Sequence, residues 1–522
     1  MDIHRVSRRQ LLAGGGAAVV GVGGLSLAGM VGYAWPHDEA GAAATKDPAA
    51  PVTPDDARGV LHFVTRSDLT PAALTVVHHD LPATQATDPQ YLILAPAGYP
   101  RTGPGVPGLM ILTRSGRIIW YSPNTDFPAS TGSGRMDLNV QSYRGQPVLT
   151  WWEGRVTDGY GEGQAVIADS SYQTIATVKA GNGLQADLHE FVITPQNTAL
   201  ITAYRPVQTD LSKVGGPAKG YAMSGSVQEI DITTGKVLFE WSSLDHVPVT
   251  DTYVPFAGGA KAAPFDYLHI NSIAIDTYGD LLLSGRNTCA IYKVARPSGK
   301  LVWQLGGKQS SFQSGSGAEF YYQHHVRPQG PGVLSVFDDG ASPAMETQSR
   351  AILLDVDTTA MKATLKQSYT HPAGLLAANQ GSMQVLSDGR VLVGWGNLPY
   401  FSEFAADGTL LMDGQFPIGD QSYRAFTANW TGHPTEKPVI VAEVNPAGGS
   451  TVYASWNGST ELASWTVLAG SSASALKQAG SQQVAAFETA ITVNTTGPYF
   501  AVTAHDNDGH LLSQSATVHQ PS

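Results

Sequence analysis

Cysteine is almost missing from this chain. Cys289 is the only one in 522 residues, so no intrachain disulfide can form and no cysteine-rich metal centre can assemble. Charge is scarce too: Asp, Glu, Lys and Arg make up 14% of the residues, and the formal net charge is -12. That balance, with no basic run after the first few residues, excludes a nucleic-acid surface. What is plentiful is 57 glycines, 32 prolines and 20 tyrosines. Few charges with many turn formers, Thr, Val and Tyr favour an all-β protein. The length predicts two folded domains rather than one.

The N-terminus carries an address. Arg8-Arg9 precede a Gly/Ala-rich apolar run from Leu11 to Ala34. This is the layout of a twin-arginine export signal, here placed over residues 1–44 as a signal or an anchor. The run is long enough to span a bilayer, but its glycines make it weakly hydrophobic. The expected partner is therefore the export machinery, with membrane contact only through an uncleaved N-terminal segment. The product is secreted, cell-wall associated or membrane-anchored. Residues 45–84 read as a Pro/Ala/Asp-rich linker followed by strand-like sequence.

From there the chain repeats itself. Phe265 to Gly307 reads as four short strands joined by tight turns, with Tyr278-Gly279-Asp280 closing the first hairpin. Outer hairpins of the same kind recur at Leu109–Ser122, Ser226–Trp241, Ala290–Leu305 and Ser402–Phe416. Inner hairpins recur between them. Units of roughly forty residues with four strands each predict a six-bladed β-propeller over residues 85–419. Residues 420–522 lose that period and read as an immunoglobulin- or fibronectin-like β-sandwich. That segment shows no cluster of acid, base and nucleophile types and reads as structural or as an attachment module.

Three histidines occupy matching places. His189, His269 and His324 each stand just before the inner strand of successive repeats. Inner strands of a propeller run side by side around a channel, so matching positions converge at one mouth. The returning strands bring Arg205, Arg286, Asp338 and Asp339 to the same end. Other repeats add Trp151, Trp152, Asn379-Gln380 and Trp395. His325 is expected on the opposite face from His324, because neighbours on a strand alternate. Any single tryptophan is explained as well by core packing, and Asp338-Asp339-Gly340 also fits a turn.

The motifs DLHEFVIT, DYLHINSIAID, LLLSGRNTCAIYKV, WQLGGK and QHHVR with the later FDDG resemble the bacterial and fungal arylsulfotransferase family, in its actinobacterial-type branch. The likeness runs from about Phe63 to Gly470. It implies an exported six-bladed propeller enzyme that moves a sulfuryl group from a phenolic sulfate ester to a phenol. No cofactor and no nucleotide sulfate donor are needed. The family's histidine nucleophile falls on His324, its supporting histidines on His189 and His269, and its arginine on Arg286. The family commonly shows Gln-His-Asp where this chain has Gln323-His324-His325, so His325 stands as an alternative nucleophile. Arg205, Trp152, Asn379, Trp395 and Asp338 are weaker substrate-binding candidates. Two other classes stay open: a metal-dependent enzyme using the histidine cluster, and a non-catalytic cell-envelope binding platform. A buried arginine beside the site disfavours the metal and favours an anionic substrate.

Overall fold

The computed structural model describes residues 59–79, 91–97, 103–125, 133–296, 298–446, 448–495 and 497–520. The twin-arginine stretch lies outside them. Among the described residues there is no α-helix; the sheets are antiparallel but for one short parallel pairing and one isolated parallel bridge, and three short 3-10 turns complete the elements. None of them forms a helix long and apolar enough to cross a membrane.

The hairpins form where Asp can cap a turn. Asp276 accepts the backbone N–H groups of Tyr278 (2.8 Å) and Asp280 (3.0 Å) on one carboxylate oxygen, and Gly279 supplies the left-handed φ of 87° that a side chain would resist. Asp231 and Asp357 cap turns in neighbouring units by accepting from the N–H groups two and three residues on. Each turn fixes the register of the pair that follows, as in Ile270–Ile275 against Leu281–Gly285.

Sheets stack face to face, so their strands are buried on both sides. Leu281–Gly285 is buried at every position, which is why it reads as a continuous apolar run rather than an alternating one. Polar residues in the first strands are consumed by the neighbouring sheet. Ser272 accepts the Val326 N–H, and Asn271 donates to the Gln323 carbonyl.

The first strands follow one another in space. Ser133–Tyr143, Ala186–Ile193, Ile270–Ile275, His324–Pro328 and Ser382–Val385 each lie beside the next. Gln421–Ala428 lies beside both the last and the first of these, so the succession returns to its start. That strand lies beyond the expected domain end at 419, yet it hydrogen-bonds along Tyr91–Ala97. Late sequence thereby completes the earliest sheet.

A buried ionic network ties this ring together. Arg424 pairs with Glu190 (2.9 Å) and Asp137 (3.0 Å) and donates to the carbonyls of His189 and Asn271. Arg327 reaches the same Glu190 at 2.7 Å. Beyond residue 437, Val439–Val444, Ser450–Ser455 and Glu488–Val493 form one sheet, and Ser464–Gly470, Lys477–Gln483, Tyr499–His505 and Leu511–Gln514 another. The two share an apolar cluster around Trp465, Val452 and Phe500. They dock on the earlier strands through Asn457, whose amide accepts from and donates to the backbone of Tyr121.

Candidate active site

Bulges set the site. Register shifts fall at Met136/Asn139, Ile270/Ser272 and His324/Arg327, and in the Gln421–Ala428 pairing next to Arg424. Asp137, His269 and His325 adopt φ near +50 to +60° there. A bulge bends the strand and re-aims consecutive side chains, which lets His269 and His324 turn inward from two sheets, and a shift at Ile201/Ala203 opposite His189 does the same in a third.

The three rings and Arg286 lie at one end of the ring of strands. His269 Nε2 is 3.0 Å from His189 Nε2. The Arg286 N–H donates to the His269 carbonyl, and Arg286 Nη2 donates to the Ala378 carbonyl at 2.9 Å. Two residues later the Gln380 N–H donates to His324 Nε2 at 3.2 Å. Arg286 also lies 5.0 Å above the Tyr322 ring.

Each imidazole has its own aspartate, and burial holds the Asp339 carboxyl well above its ordinary range. His189 Nδ1 meets Asp187 at 2.5 Å, His269 Nδ1 meets Asp266 at 2.7 Å, and His324 Nδ1 meets Asp339 at 2.6 Å. Burial alone would raise the Asp187 carboxyl. The His189 ring and the backbone N–H groups of Gly161 and His189 outweigh it and hold it below the usual range. Asp266 is likewise held down against burial by His269, Tyr160 and Arg286. Burial, then the positive charge of Arg286, holds His324 well below an ordinary histidine. Because the Gln380 N–H needs an acceptor, Nε2 carries the lone pair and the proton lies on the Nδ1–Asp339 side.

The remaining candidates scatter. Asp338 turns the other way from Asp339, accepting from Tyr321 N and Arg350, and burial pushes its carboxyl up to about 7. Trp395 is core, donating to Ser402, and Trp152 is core, donating to the Ala186 carbonyl. Arg205 is exposed while its neighbour Tyr204 packs on His189 and His269. Asn379 is exposed, and its carbonyl accepts from Asn397. Cys289 is buried, with its thiol pushed up to about 11 by burial. The site also contains residues the sequence did not flag. Asp187, Asp266 and Tyr160 all touch the cluster, and Gln380, expected at this mouth, does so through its backbone amide. The two aspartates stand inside the quoted motifs, two and three residues before their histidines, and that spacing was the available signal.

His325 faces away, toward the backbone of Met383 and the Phe426 ring. Burial, then Arg327 and Arg424, holds its ring neutral well below the ordinary range. Below about pH 6.5 the unfolded chain binds a proton on this ring that the folded chain does not. Wild type should therefore lose stability relative to His325→Gln by up to about 1.4 kcal/mol per pH unit as pH falls. Denaturant midpoints of both proteins at neutral and mildly acidic pH test this; a constant gap would contradict it.

Three imidazoles, each against an aspartate and beside a guanidinium, define a site for a nucleophile and an anionic group. The chain belongs to the arylsulfotransferase family, whose model, Arylsulfotransferase (ASST), matches residues 139–417. An arylsulfotransferase-type function follows in general terms. No curated protein matches the sequence. Among solved structures it is similar to a protein of unknown function from Bacteroides caccae, at 12% identity over 65% of this chain and 99% of that one, with a TM-score of 0.39. It is also similar to a catalytically inactive virginiamycin B lyase from Staphylococcus aureus with quinupristin, at 10% identity over 66% and 89%, with a TM-score of 0.34.

Proposed function

We propose that the protein moves a sulfuryl group from a phenolic sulfate ester to a phenol through a sulfohistidine on His324. One observation carries this reading. The His324 Nε2 lone pair is oriented by Asp339 from behind, met by the Gln380 N–H, and set in the field of Arg286. A nucleophile that must bond to sulfur and then leave is well served by neutral imidazole. The guanidinium spends one N–H on Asn287 and one on Ala378, leaving donors for the sulfuryl oxygens, where charge builds in the transition state.

In this reading residues 91–428 form a six-bladed propeller, supported by the succession of first strands that returns on itself. The two sheets beyond residue 437 form the C-terminal sandwich. The reaction needs no nucleotide sulfate donor. The metal alternative meets an obstacle in the donor set: both Nδ1 atoms of the histidine pair are taken by carboxylates and the Nε2 atoms face each other. Among the described residues, the set of ligand atoms close enough to hold an ion is Asp506, Asp508 and His510, in a surface turn.

Purified protein given a chromogenic aryl sulfate should release phenol faster when a second phenol is added, with the sulfuryl group recovered on that acceptor. Release of inorganic sulfate without acceptor dependence would point to a hydrolase, and no turnover to a binding platform. The twin-arginine stretch makes the product an exported one. Arg8→Lys with Arg9→Lys should hold the protein in the cytoplasm, and unchanged export of the double variant would refute the route.

A further inference from the structure

We propose that His189 and His269 work as one base that shares a single proton between their Nε2 atoms, held there by Asp187 and Asp266 as positioning residues. The proposal rests on the sulfuryl-transfer reading above and says where that reaction keeps its proton.

The geometry forces the count. Asp187 is saturated with donors: the Gly161 N–H on one oxygen, and the His189 N–H, the His189 ring and the Thr202 hydroxyl on the other. Three of these are donors whatever the ring's tautomer, and a buried carboxylate so supplied and held below its ordinary range keeps no proton of its own, so His189 Nδ1 supplies the hydrogen of the fourth contact. Asp266 is likewise held in its charged form, and the His269 Nδ1 contact at 2.7 Å is again a donated one. Both Nδ1 positions are then N–H, and both Nε2 atoms would carry bare lone pairs. Two lone pairs aimed at each other across 3.0 Å repel; one proton between them turns the contact into a charge-assisted hydrogen bond. The rings meet nearly perpendicular, at 86°.

The surroundings allow one proton there and resist a second. Toward His189 stand Asp187, Tyr204 and Tyr423, with Arg424 on its carbonyl. Toward His269 stand Asp266, Tyr160, Tyr204 and Arg286. His324 completes the set. Burial works against a charge on His269, Asp266 pulls the other way, Arg286 adds to burial, and the balance lies below an ordinary histidine, so a proton held there is readily given up. Tyr160 and Tyr204 are pushed well above their ordinary range by burial and the nearby carboxylates, so they stay neutral.

The bookkeeping of the reaction then closes without solvent. As His324 Nε2 forms its bond to sulfur, the bond from sulfur to the aryl oxygen breaks and its electron pair goes to that oxygen. The oxygen takes the shared proton and leaves as the phenol. The pair is left with opposed lone pairs, placed to take a proton back. The acceptor phenol gives its proton to the pair as its oxygen bonds to sulfur; the N–S bond breaks and its electrons return to Nε2. The pair titrates as a unit with two macroscopic steps, so neither ring is the base alone.

The test is nitrogen-15 NMR of the histidine rings in the full-length protein, wild type and His324→Ala, with assignments from His189→Gln and His269→Gln. Expected are protons on both Nδ1 atoms and one far-downfield proton coupled to both Nε2 atoms, lost in either Gln variant. Two unprotonated Nε2 atoms, or a separate proton on each, overturn the proposal. In kinetics, each Gln variant should lower kcat/KM for the acceptor by roughly a hundredfold or more and remove the same limb of the pH profile. A limb that survives in one variant means a single base. If either Gln variant fails to fold, Asp266→Asn serves: it should abolish the downfield signal and shift that limb, and an unmoved signal and profile would count against the pair. Wild type that transfers sulfuryl groups without the shared proton overturns this proposal alone. A shared proton in a wild type with no transfer overturns the function proposed above, and with it this use of the proton.

Discussion

Alanine at position 324 should reduce sulfuryl transfer by roughly 10⁴-fold or more, the scale on which losing a covalent nucleophile is felt. The reason is geometric. His324 is the imidazole whose Nδ1 is backed by Asp339 and whose Nε2 is met by a backbone N–H beside Arg286; no neighbouring side chain can inherit that arrangement. His325 is adjacent in sequence, yet its Nδ1 is engaged by Met383 on another strand and it faces Phe426. His325→Ala should therefore keep most transfer that survives any loss of stability. Wild type incubated with donor alone should carry a sulfuryl group on the peptide containing His324, and the His324→Ala peptide should carry none. With two substrates, double-reciprocal lines should be parallel. The pH profile follows the same logic. Only neutral imidazole attacks, and burial with Arg286 holds His324 neutral well below the ordinary histidine range. The acid loss that belongs to the nucleophile should thus fall below pH 6.5. Retention of transfer in His324→Ala would refute the covalent route.

Much of this arrangement can be read without coordinates, for a reason that also limits it. Repetition converts sequence position into spatial position. Once His189, His269 and His324 are seen to precede equivalent strands, and Arg286 to follow a hairpin closed at Gly279, their gathering at one end follows from strand direction. What repetition does not carry is side-chain aim. Asp338 and Asp339 are adjacent, and the pleat sends one to Arg350 and the other to His324; a one-residue error reverses them. The bulges at Ile270 and His324 leave no mark in composition, because the left-handed positions there are filled by histidines rather than glycines. Backbone donors such as the Gln380 N–H are invisible by nature, since every residue has one. The aromatic candidates failed to separate for another reason. Trp152 and Trp395 have the same apolar surface whether they face a ligand or a core, and both face the core. The strand Gln421–Ala428 was missed as part of the repeats because it follows the last of them and closes the first.

Arg286 carries the second large effect, and its replacement by lysine is the informative one. The guanidinium is fixed on three sides: by the Asn287 side chain at 2.8 Å, by the Ala378 carbonyl at 2.9 Å, and by the Tyr322 ring beneath it. Its backbone N–H is tied to the His269 carbonyl. A planar cation so held keeps its unused N–H groups fixed, and in the proposed reaction these meet the sulfuryl oxygens. Lysine keeps the charge but offers a flexible point charge that cannot hold Asn287 and Ala378 and also bind two sulfuryl oxygens. Removing one preorganised donor typically costs on the order of 10²- to 10³-fold in rate, or about 2.7–4 kcal/mol of transition-state stabilisation. Arg286→Lys should therefore lower kcat by about that factor. It should also relax His324: the lysine's charge is equal but no longer pinned beside the ring, so the nucleophile takes up a proton more readily, and the acid limb of the pH profile should move upward. That coupled outcome separates a direct role from a structural one. A merely destabilised site would lose rate without moving the limb, and a lysine variant with wild-type kcat would remove Arg286 from the chemistry.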